Sequence, residues 1–418
     1  MNKTASGSRP SDLLPASVLG LLGARGPMTR TELAAALRVS PASITQVGKD
    51  LMSRGMVAEL GQLASGGGRP ARPLSLVGSA AQIVGVKVAA SHLAVVAAKL
   101  DGTVTLTRTE PFDVTRPDAL DLAARAMRAV LEAVDAPVLG VGVGVPGSVD
   151  SLESGVADSP TIGWHNAQIG AALRQKLGVP VLVENDVNAL AVAEQVYGVG
   201  RRYSTYLVVT IGRGIGCGIV IDGQVYRGAD GGAGELGHFP MVEGGQPCPY
   251  GHSGCLESLI GSSGLIRRAV EAGFWAADET PTRPDDELAA IRRLAARAAT
   301  DPVLAEGLFG WAGRWLGTAA AGLVNLLNPE TVVILGEGTA QWELWEAGFE
   351  HGFRSKLMAA RRSLPYVVDP WDEDKWALGA AALVIASSFD KDGATGYQGE
   401  LVRERLSGAA AGRTRTEV

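Results

Sequence analysis

The N-terminal part of the chain carries apolar positions at helical spacing, separated by residues that start and stop helices. The apolar stripe in Leu13–Leu22 predicts a first helix. Thr29, followed three residues later by Glu32, forms a capping box that predicts the start of a second. Ser40-Pro41 predicts a third, because Ser can accept an unpaired backbone N–H and Pro presets the first turn. This pattern indicates a helix-turn-helix, whose third helix would enter the major groove of DNA.

The residues after the third helix predict a winged extension. Met56–Leu60 and Leu74–Leu76 have the composition of short strands, and Gly66–Pro73 between them is typical of a flexible arm. The outer face of the third helix and the arm carry groups suited to base edges, phosphates or a narrow minor groove. We expect DNA contacts from Ser43, Thr45, Gln46, Lys49, Arg69 and Arg72. Residues 1–78 are therefore predicted to be a winged helix-turn-helix DNA-binding domain.

From Ile83 onward, buried strands alternate with helices, which is typical of a mainly parallel sheet with helices on both faces. Two strand-rich halves, Ile83–Val183 and Leu207–Leu335, suggest a duplicated α/β unit. We divide this body into lobes at 79–200 and 201–388, the second ending in a returning helix at Leu378–Ser387. Residues 389–418 are polar and are predicted to be a disordered tail.

Composition places the chain among soluble multidomain proteins. At 418 residues it exceeds one ordinary core. The first 80 residues hold nine Lys/Arg against four Asp/Glu, so the head has a net charge of +5. Because the whole chain has a net charge of −6, the body has a net charge of −11. This asymmetry is typical of a nucleic-acid-binding module joined to an effector domain. Three cysteines and no apolar run of membrane-spanning length predict a cytoplasmic protein without a membrane partner.

A Gly/Pro-rich segment from Gly234 to Glu257 concentrates ligand-type residues without a helical or strand period. It contains His238, Cys248 and Cys255, which are ligand types for tetrahedral zinc. It also contains Glu235 and Glu257, which are acceptors of the kind that polyol hydroxyls need. The segment therefore predicts a loop built around a small site.

This segment resembles the signature of the ROK family (repressors, open reading frames, kinases), a group of sugar kinases and sugar-responsive transcription factors. The resemblance covers roughly residues 13–387 and implies a two-lobed, actin-like α/β domain after the winged head. It also implies that His238, Cys248 and Cys255 hold a structural zinc. The family has a third Cys where this chain has Tyr250. Either His252 supplies the fourth ligand, or the metal is weakly bound or absent.

The resemblance also implies a set of sugar ligands. Asn185-Asp186 follows the strand Val181–Val183, at the strand end where open α/β sheets place ligand groups. A turn or helix cap would be the ordinary interpretation of an isolated Asn-Asp pair, but the matched context favours sugar binding. Family kinases use the residue matching Asp186 as the general base. The full predicted set is Asn166, Asn185, Asp186, Glu235, His238 and Glu257.

The nucleotide motifs of the family's kinases are altered in this chain. Lys87 stands where the kinases have the Asp that helps to hold Mg²⁺-ATP, and Ala89-Ala90 replaces a pair of glycines. An ammonium cannot bind the metal, and the two methyl groups crowd the approach to phosphate. Arg213 replaces a Thr in the second phosphate loop, and Glu337 stands in the adenosine loop where Gly is usual. We therefore predict no catalytic residue and no kinase activity.

The sequence hypothesis is a sugar-responsive DNA-binding transcriptional regulator of carbohydrate genes, with repression the favoured mode. Its expected partners are an operator in double-stranded DNA, a sugar or sugar-phosphate effector, and further copies of the chain in a homodimer or tetramer. Sugar bound between the lobes would reorient the DNA-binding heads. The alternatives are an ATP-dependent sugar kinase that carries a DNA-binding head, and a body that serves only dimerisation.

Overall fold

The computed structural model describes residues 10–61, 72–248, 250–281, 283, 286–388 and 395–412. The chain divides into two compact units: residues 1–202 together with 374–418, and residues 203–373. Residues 374–388, which the sequence analysis counted with the second lobe as its returning helix, belong to the first unit. None of the described helices is both long and apolar enough to cross a membrane.

The head of the first unit is a winged helix-turn-helix. Its elements are α1 (Pro10–Arg25), α2 (Arg30–Leu37), α3 (Pro41–Ser53), β1 (Val57–Glu59) and β2 (Leu74–Leu76). The capping box is formed: Thr29 Oγ1 accepts from the N–H of Glu32, and Glu32 accepts from the N–H of Thr29. Ser40 caps α3 through the N–H of Ser43, as predicted. The two strands pair antiparallel, with Val57 opposite Leu76.

The body of the first unit is an α/β layer around a five-stranded sheet. Its elements are β3 (Gln82–Val88), β4 (His92–Lys99), β5 (Val104–Pro111), α4 (Ala119–Ala133), β6 (Val138–Val145), β7 (Ser148–Val149), β8 (Val156–Ser159), β9 (Trp164–Gln168), α5 (Ile169–Leu177), β10 (Val181–Asn185) and α6 (Asp186–Tyr197). The strand order is β10-β6-β3-β4-β5. β3, β6 and β10 are parallel, so their carboxyl ends lie along one edge of the sheet.

The second unit contains a sheet with the same arrangement. Its elements are β11 (Tyr206–Ile211), β12 (Ile215–Ile221), β13 (Gln224–Val225), α7 (Leu256–Ile260), α8 (Ser262–Glu271), α9 (Glu287–Ala298), α10 (Pro302–Leu304), α11 (Trp311–Leu327), β14 (Thr331–Leu335), α12 (Trp342–Lys356) and β15 (Tyr366–Val368). The strand order is β13-β12-β11-β14-β15. In both sheets an antiparallel meander of three strands is extended by two parallel strands.

The prediction of a mainly parallel sheet is therefore wrong for half of the strand pairings. In the first unit, β4 returns directly from β3 and turns again at Asp101-Gly102, where Gly102 has a φ of 87°. Short connections of this kind can join only antiparallel strands, because a parallel crossover needs a dozen or more residues. The shared strand order supports the duplication suggested by the sequence.

Two C-terminal helices, α13 (Lys375–Ser387) and α14 (Gly396–Gly412), complete the first unit. The prediction of a disordered tail is wrong for residues 396–412. Val402 and Leu406, four residues apart, are both buried and give α14 one apolar contact line. Gln398 accepts a hydrogen bond from the N–H of Val181 at 3.3 Å, which ties the helix to β10. A short apolar line within a polar composition hid this helix from the sequence analysis.

Candidate functional site

Asn185 and Asp186 lie at the junction where β10 ends and α6 begins. The Asn185 side chain caps the helix, since its Oδ1 accepts from the N–H groups of Val187 (2.9 Å) and Asn188 (3.0 Å). Its Nδ2 donates to the carbonyl of Gly147 at 2.8 Å. The helix-cap interpretation, which the sequence analysis set aside, is thus correct for this side chain. Asn185 fixes the junction, which positions Asp186 beside it.

Asp186 forms an ion pair with Lys87, which lies near the carboxyl end of β3. Both side chains are nearly buried, with 11% of Asp186 and 13% of Lys87 exposed. The other Asp186 oxygen accepts from the N–H of Val187 at 2.9 Å. The Lys87 Nζ also lies 4.6 Å from the ring centre of Trp376, within the range of a cation–π contact. Both carboxylate oxygens of Asp186 are therefore occupied by groups of the protein.

The sequence analysis named Lys87 and Asp186 separately and missed their contact. The two residues stand on β3 and just beyond β10, with β6 between these strands. At the intervening position, in register with Lys87 and Glu184, β6 has Gly144. Gly144 therefore lies next to both partners, and a Cβ there would be in ordinary van der Waals contact with the Asp186 Cα at 3.5 Å. No local pattern in the sequence indicated the contact between Lys87 and Asp186.

The predicted sugar loop at 163–166 separates into a structural and an exposed residue. Trp164 donates from its indole N–H to the carbonyl of Val114 at 3.0 Å and packs against the core of the first unit. Asn166 is exposed and has a left-handed backbone with φ of 47°. Asn tolerates this conformation better than most residues, and strained positions of this kind concentrate at ligand sites.

In the second unit, Glu235 and His238 lie together on a single helical turn. The His238 Nε2 is 3.8 Å from a Glu235 carboxylate oxygen, and its Nδ1 is 3.4 Å from the Cys248 Sγ. The two ring nitrogens thus face two different groups. Glu235 is more than half exposed, whereas His238 is largely buried. Such an imidazole can bind a metal through one nitrogen while the other donates to a carboxylate or a ligand.

His238, Cys248 and His252 form a group whose potential ligand atoms all lie within 4.8 Å of one another. The loop closes because the N–H of Cys248 donates to the carbonyl of His252 at 2.7 Å. A tetrahedral zinc places a sulfur and a nitrogen ligand about 3.5 Å apart, close to the 3.4 Å seen between Cys248 and His238. These donors fit zinc. Tyr250, which replaces the family Cys, packs its ring 4.4 Å from that of His238 instead.

Cys255, the remaining predicted ligand, is fully buried at the start of α7 and lies outside this group of three. Burial, with a smaller contribution from the neighbouring Cys255 thiol, raises the pKa of the Cys248 thiol. A metal binds the thiolate, so a metal ion at this site would have to displace the proton of this thiol.

Two carboxylates lie against the loop that joins β11 to β12. The Glu257 Oε2 accepts from the N–H of Ile215 at 2.9 Å and would lie 2.4 Å from a Cβ on Gly214. Glu337 Oε2 would lie 2.3 Å from a Cβ on Gly212. Both glycines are therefore needed for these carboxylates to approach the backbone. The sequence analysis noted Glu337 as a departure from the family but did not place it on this loop.

The head presents part of its predicted DNA-contact set. Gln46 and Lys49 are exposed on α3. Ser43 and Thr45 are half-buried at the sides of this face, and their hydroxyls have partners within the helix: Thr45 donates to the carbonyl of Pro41 at 2.8 Å. The exposed line of α3 therefore centres on Gln46 and Lys49.

The base of the wing is electrostatically organised. Glu59 on β1 forms ion pairs with Arg30 (2.8 Å) and Arg72 (3.2 Å). The Arg30 guanidinium, with a smaller contribution from that of Arg72, holds the pKa of the Glu59 carboxyl below its ordinary value. More than half of the Arg72 side chain stays exposed in this ion pair. Arg69 lies outside the described residues.

A winged helix-turn-helix joined to two α/β units of equal strand order defines a DNA-binding protein built on an actin-like, sugar-kinase-type body. The sequence profile of the ROK family matches residues 83–387, and the chain belongs to this family.

Relatives that match over nearly the full length are transcriptional regulators. The DNA-binding transcriptional dual regulator NagC of Escherichia coli (strain K12) is 28% identical over 381 residues, which cover 88% of this chain and 91% of NagC. A xylose repressor of Caldicellulosiruptor bescii is 26% identical over 375 residues, covering 86% of this chain and 92% of the repressor. These matches are longer than the body alone and support a sugar-responsive transcriptional repressor.

Solved structures agree with both parts of the fold. A ROK family transcriptional regulator, described as a homolog of the E. coli MLC protein, has a TM-score of 0.74 and 25% identity, with 95% of this chain and 99% of that chain covered. A ROK family glucokinase from Streptomyces griseus, in complex with glucose and AMPPNP, has a TM-score of 0.62 and 26% identity, with 72% of this chain and 98% of the kinase covered. Kinases of the family thus match the body.

Proposed function

We propose that this protein is a transcriptional repressor whose affinity for its operator is controlled by a bound sugar. The observation that carries the proposal is the Lys87–Asp186 ion pair, which blocks the kinase base position in a body that is joined to a DNA-binding head. A family member with this combination retains a ligand site and a DNA-binding surface but lacks the groups for phosphoryl transfer.

Each unit by itself contains proposed sugar ligands. In the first unit, a sugar hydroxyl that competes with Lys87 would take the Asp186 carboxylate, and Asn166 offers an exposed amide, with Asn185 fixing the junction. In the second unit, Glu235, His238 and Glu257 offer acceptors and one imidazole N–H. Sugar hydroxyls donate and accept at once, so carboxylates flanked by fixed N–H groups suit them well. One related protein of Escherichia coli is an N-acetylglucosamine repressor, and another relative is the xylose repressor described above. N-acetylglucosamine and xylose are therefore the first effectors to test.

Three features argue against phosphoryl transfer by this chain. Lys87 cannot bind Mg²⁺, and its ammonium takes the carboxylate oxygen that a general base would use. Ala89-Ala90 adds side chains where a phosphate would approach. Glu337 places a negative charge on the Gly212 backbone, at the loop that holds phosphate in kinases. A nucleotide phosphate would be repelled there.

We further propose that zinc joins His238, Cys248 and His252, with the buried Cys255 as the fourth donor. The metal would supply a cross-link that holds His238 in one tautomer, so that its Nε2–H points toward Glu235 and the sugar. His252 thereby replaces the family Cys that is lost at Tyr250. We also propose cytoplasmic action as a homodimer or tetramer, since paired heads match the symmetry of an operator.

A thermal-shift screen tests the proposal directly. Purified protein is heated with hexoses, pentoses, amino sugars, their phosphates or ATP, and a ligand at a hundred times its Kd stabilises by about 2.7 kcal/mol. We expect a shift with one sugar class and none with ATP. A shift with ATP, or sugar-dependent ADP release that Asp186→Asn abolishes, would overturn the proposal in favour of a kinase. Glu337→Gly is the matched variant: we expect it to gain a measurable shift with AMPPNP without gaining turnover.

A further inference from the structure

Two helices of the first unit, α6 and α13, both begin at the Lys87–Asp186 pair. α6 starts with Asp186, and α13 carries Trp376 in its first turn, beneath the Lys87 ammonium. The helices contain 12 and 13 residues, so each spans about 18–20 Å at 1.5 Å per residue. They pack closely side by side, since a Cβ on Gly379 of α13 would lie 3.0 Å from the Leu190 side chain of α6.

The far ends of the same two helices meet at Gly23, in the last turns of α1 in the DNA-binding head. Arg201 follows α6 and donates to the carbonyl of Val196 at 2.9 Å and to that of Gly23 at 3.4 Å. From α13, Ile385 packs against the other side of Gly23, where a Cβ would lie 3.3 Å from the Ile385 side chain. Gly23, a buried residue of the head, therefore contacts α13 directly and is joined to α6 through Arg201.

The N-terminal half of α13 packs tightly against the strand that carries Lys87 and against its neighbour β6. A Cβ on Gly85 of β3 would lie 1.9 Å from the carbonyl oxygen of Ala377, and one on Gly142 of β6 would lie 1.8 Å from that of Ala380. α13 thus rests directly on the backbone of the sheet. A packed core of this kind shifts as a unit and does not absorb a displacement gradually.

We propose that α6 and α13 transmit the state of the Asp186 site to the DNA-binding head, and that Arg201 and Gly23 form the joint that receives it. The inference rests on the proposed function and names its regulatory route. A ligand that engages Asp186 competes with Lys87 and changes the contacts at the first turns of both helices. Arg201 acts as a positioning residue, because it fixes the end of α1, and with it the head, to the end of α6.

A double-mutant cycle on operator affinity tests this route without a sugar. An operator fragment is selected from genomic DNA with the wild-type protein, and its Kd is measured by fluorescence anisotropy for wild type, Asp186→Asn, Arg201→Ala and the double variant. Independent sites at opposite ends of a helix give additive effects within about twofold. We expect the double variant to depart from the product of the single effects by about fivefold or more. Additivity within twofold would overturn the proposal.

The sugar response supplies the second arm, with the sugar that stabilises wild type in the thermal screen. Arg201→Ala should keep the sugar-induced thermal shift but lose most of the sugar-induced change in operator Kd. Gly23→Ala, which presses a methyl group on Ile385, should alter the same change. Arg125→Ala on α4, the control for loss of a surface arginine, should respond as wild type.

The outcomes separate the two proposals. An Arg201→Ala variant whose operator Kd responds to sugar as in wild type contradicts the transmission route alone. A wild type that no sugar releases from DNA contradicts the effector function, and the double-mutant cycle still decides whether the site and the head are coupled. A melting profile of Arg201→Ala that matches wild type shows that the variant is folded.

Discussion

The two groups of candidate ligand residues are held in place by different means. Asp186 stands at a strand–helix junction, where a cap, an ion pair and the register of three parallel strands fix it. Glu235 and His238 lie in an irregular loop. Among its described residues, β-type backbone pairing is limited to isolated bridges such as that between Pro240 and Cys255. The first group is organised by regular backbone, so the second has the greater need of a cross-link.

The largest expected effect breaks the first arrangement. Asp186→Ala leaves the nearly buried Lys87 ammonium without its partner, which costs roughly 3–5 kcal/mol in comparable buried pairs. Replacing both residues by Met and Leu should cost much less, because no unpaired charge remains. Urea unfolding gives the free energies. Glu350→Ala, which removes a more exposed partner of Arg354, is the control and should cost about 1 kcal/mol or less. If Asp186→Ala and Glu350→Ala lose the same free energy of unfolding, the buried Lys87–Asp186 ion pair does not stabilise the first unit in the way proposed.

The second expected effect breaks the second arrangement. If the proposed zinc is bound, treatment with a chelator should weaken sugar binding by about 10–100-fold, the usual effect of losing support for a ligand residue. Cys248→Ala should do the same, whereas Cys217→Ala, at another buried thiol on β12, should not. Metal analysis and calorimetric titration with the sugar provide the measurements. Protein purified without chelator that holds no zinc and binds sugar normally would show that the loop stays ordered by packing alone.

The smallest expected effect concerns the pH dependence of the free energy of unfolding. All three cysteines lie in the second unit, so the titration of a buried thiol reports on that unit. Burial raises the pKa of Cys217 from 9.0 to about 12. Above pH 9 the unfolded thiol loses its proton while the folded one keeps it, so stability that is complete below pH 9 falls by up to about 1.4 kcal/mol per pH unit. Cys217→Ala should flatten this slope in denaturation measured between pH 8 and 10.5. A slope that persists in the variant would assign it to other groups.

Local chemistry made the head predictable from the sequence. The capping box at Thr29 and Glu32, the cap at Ser40 and the strand Leu74–Leu76 depend on residues close together in the chain, and the structure confirms each of them. The zinc-type loop was recognised because its ligand types are concentrated in a short segment. Its fourth donor could not be chosen, since that choice depends on how the loop folds.

The contacts that distinguish this chain from a kinase join distant residues. Lys87 on β3 reaches Asp186 across β6, and Glu337 reaches Gly212 from the end of β14. Lys87 and Glu337 were visible in the sequence as departures from the family, but no local pattern shows which residues they meet. The helix α14 was missed for the related reason that it packs, through Val402 and Leu406 among others, in contact with elements far away in the chain.

The most direct test of the account is operator binding measured with and without sugar. A fragment selected from genomic DNA is titrated with the protein by fluorescence anisotropy, in the absence and presence of the sugar that stabilises it. The account predicts at least a fivefold change in Kd with that sugar, and none with AMPPNP. Operator affinity that no sugar alters, or sugar consumption in the presence of ATP, would contradict it.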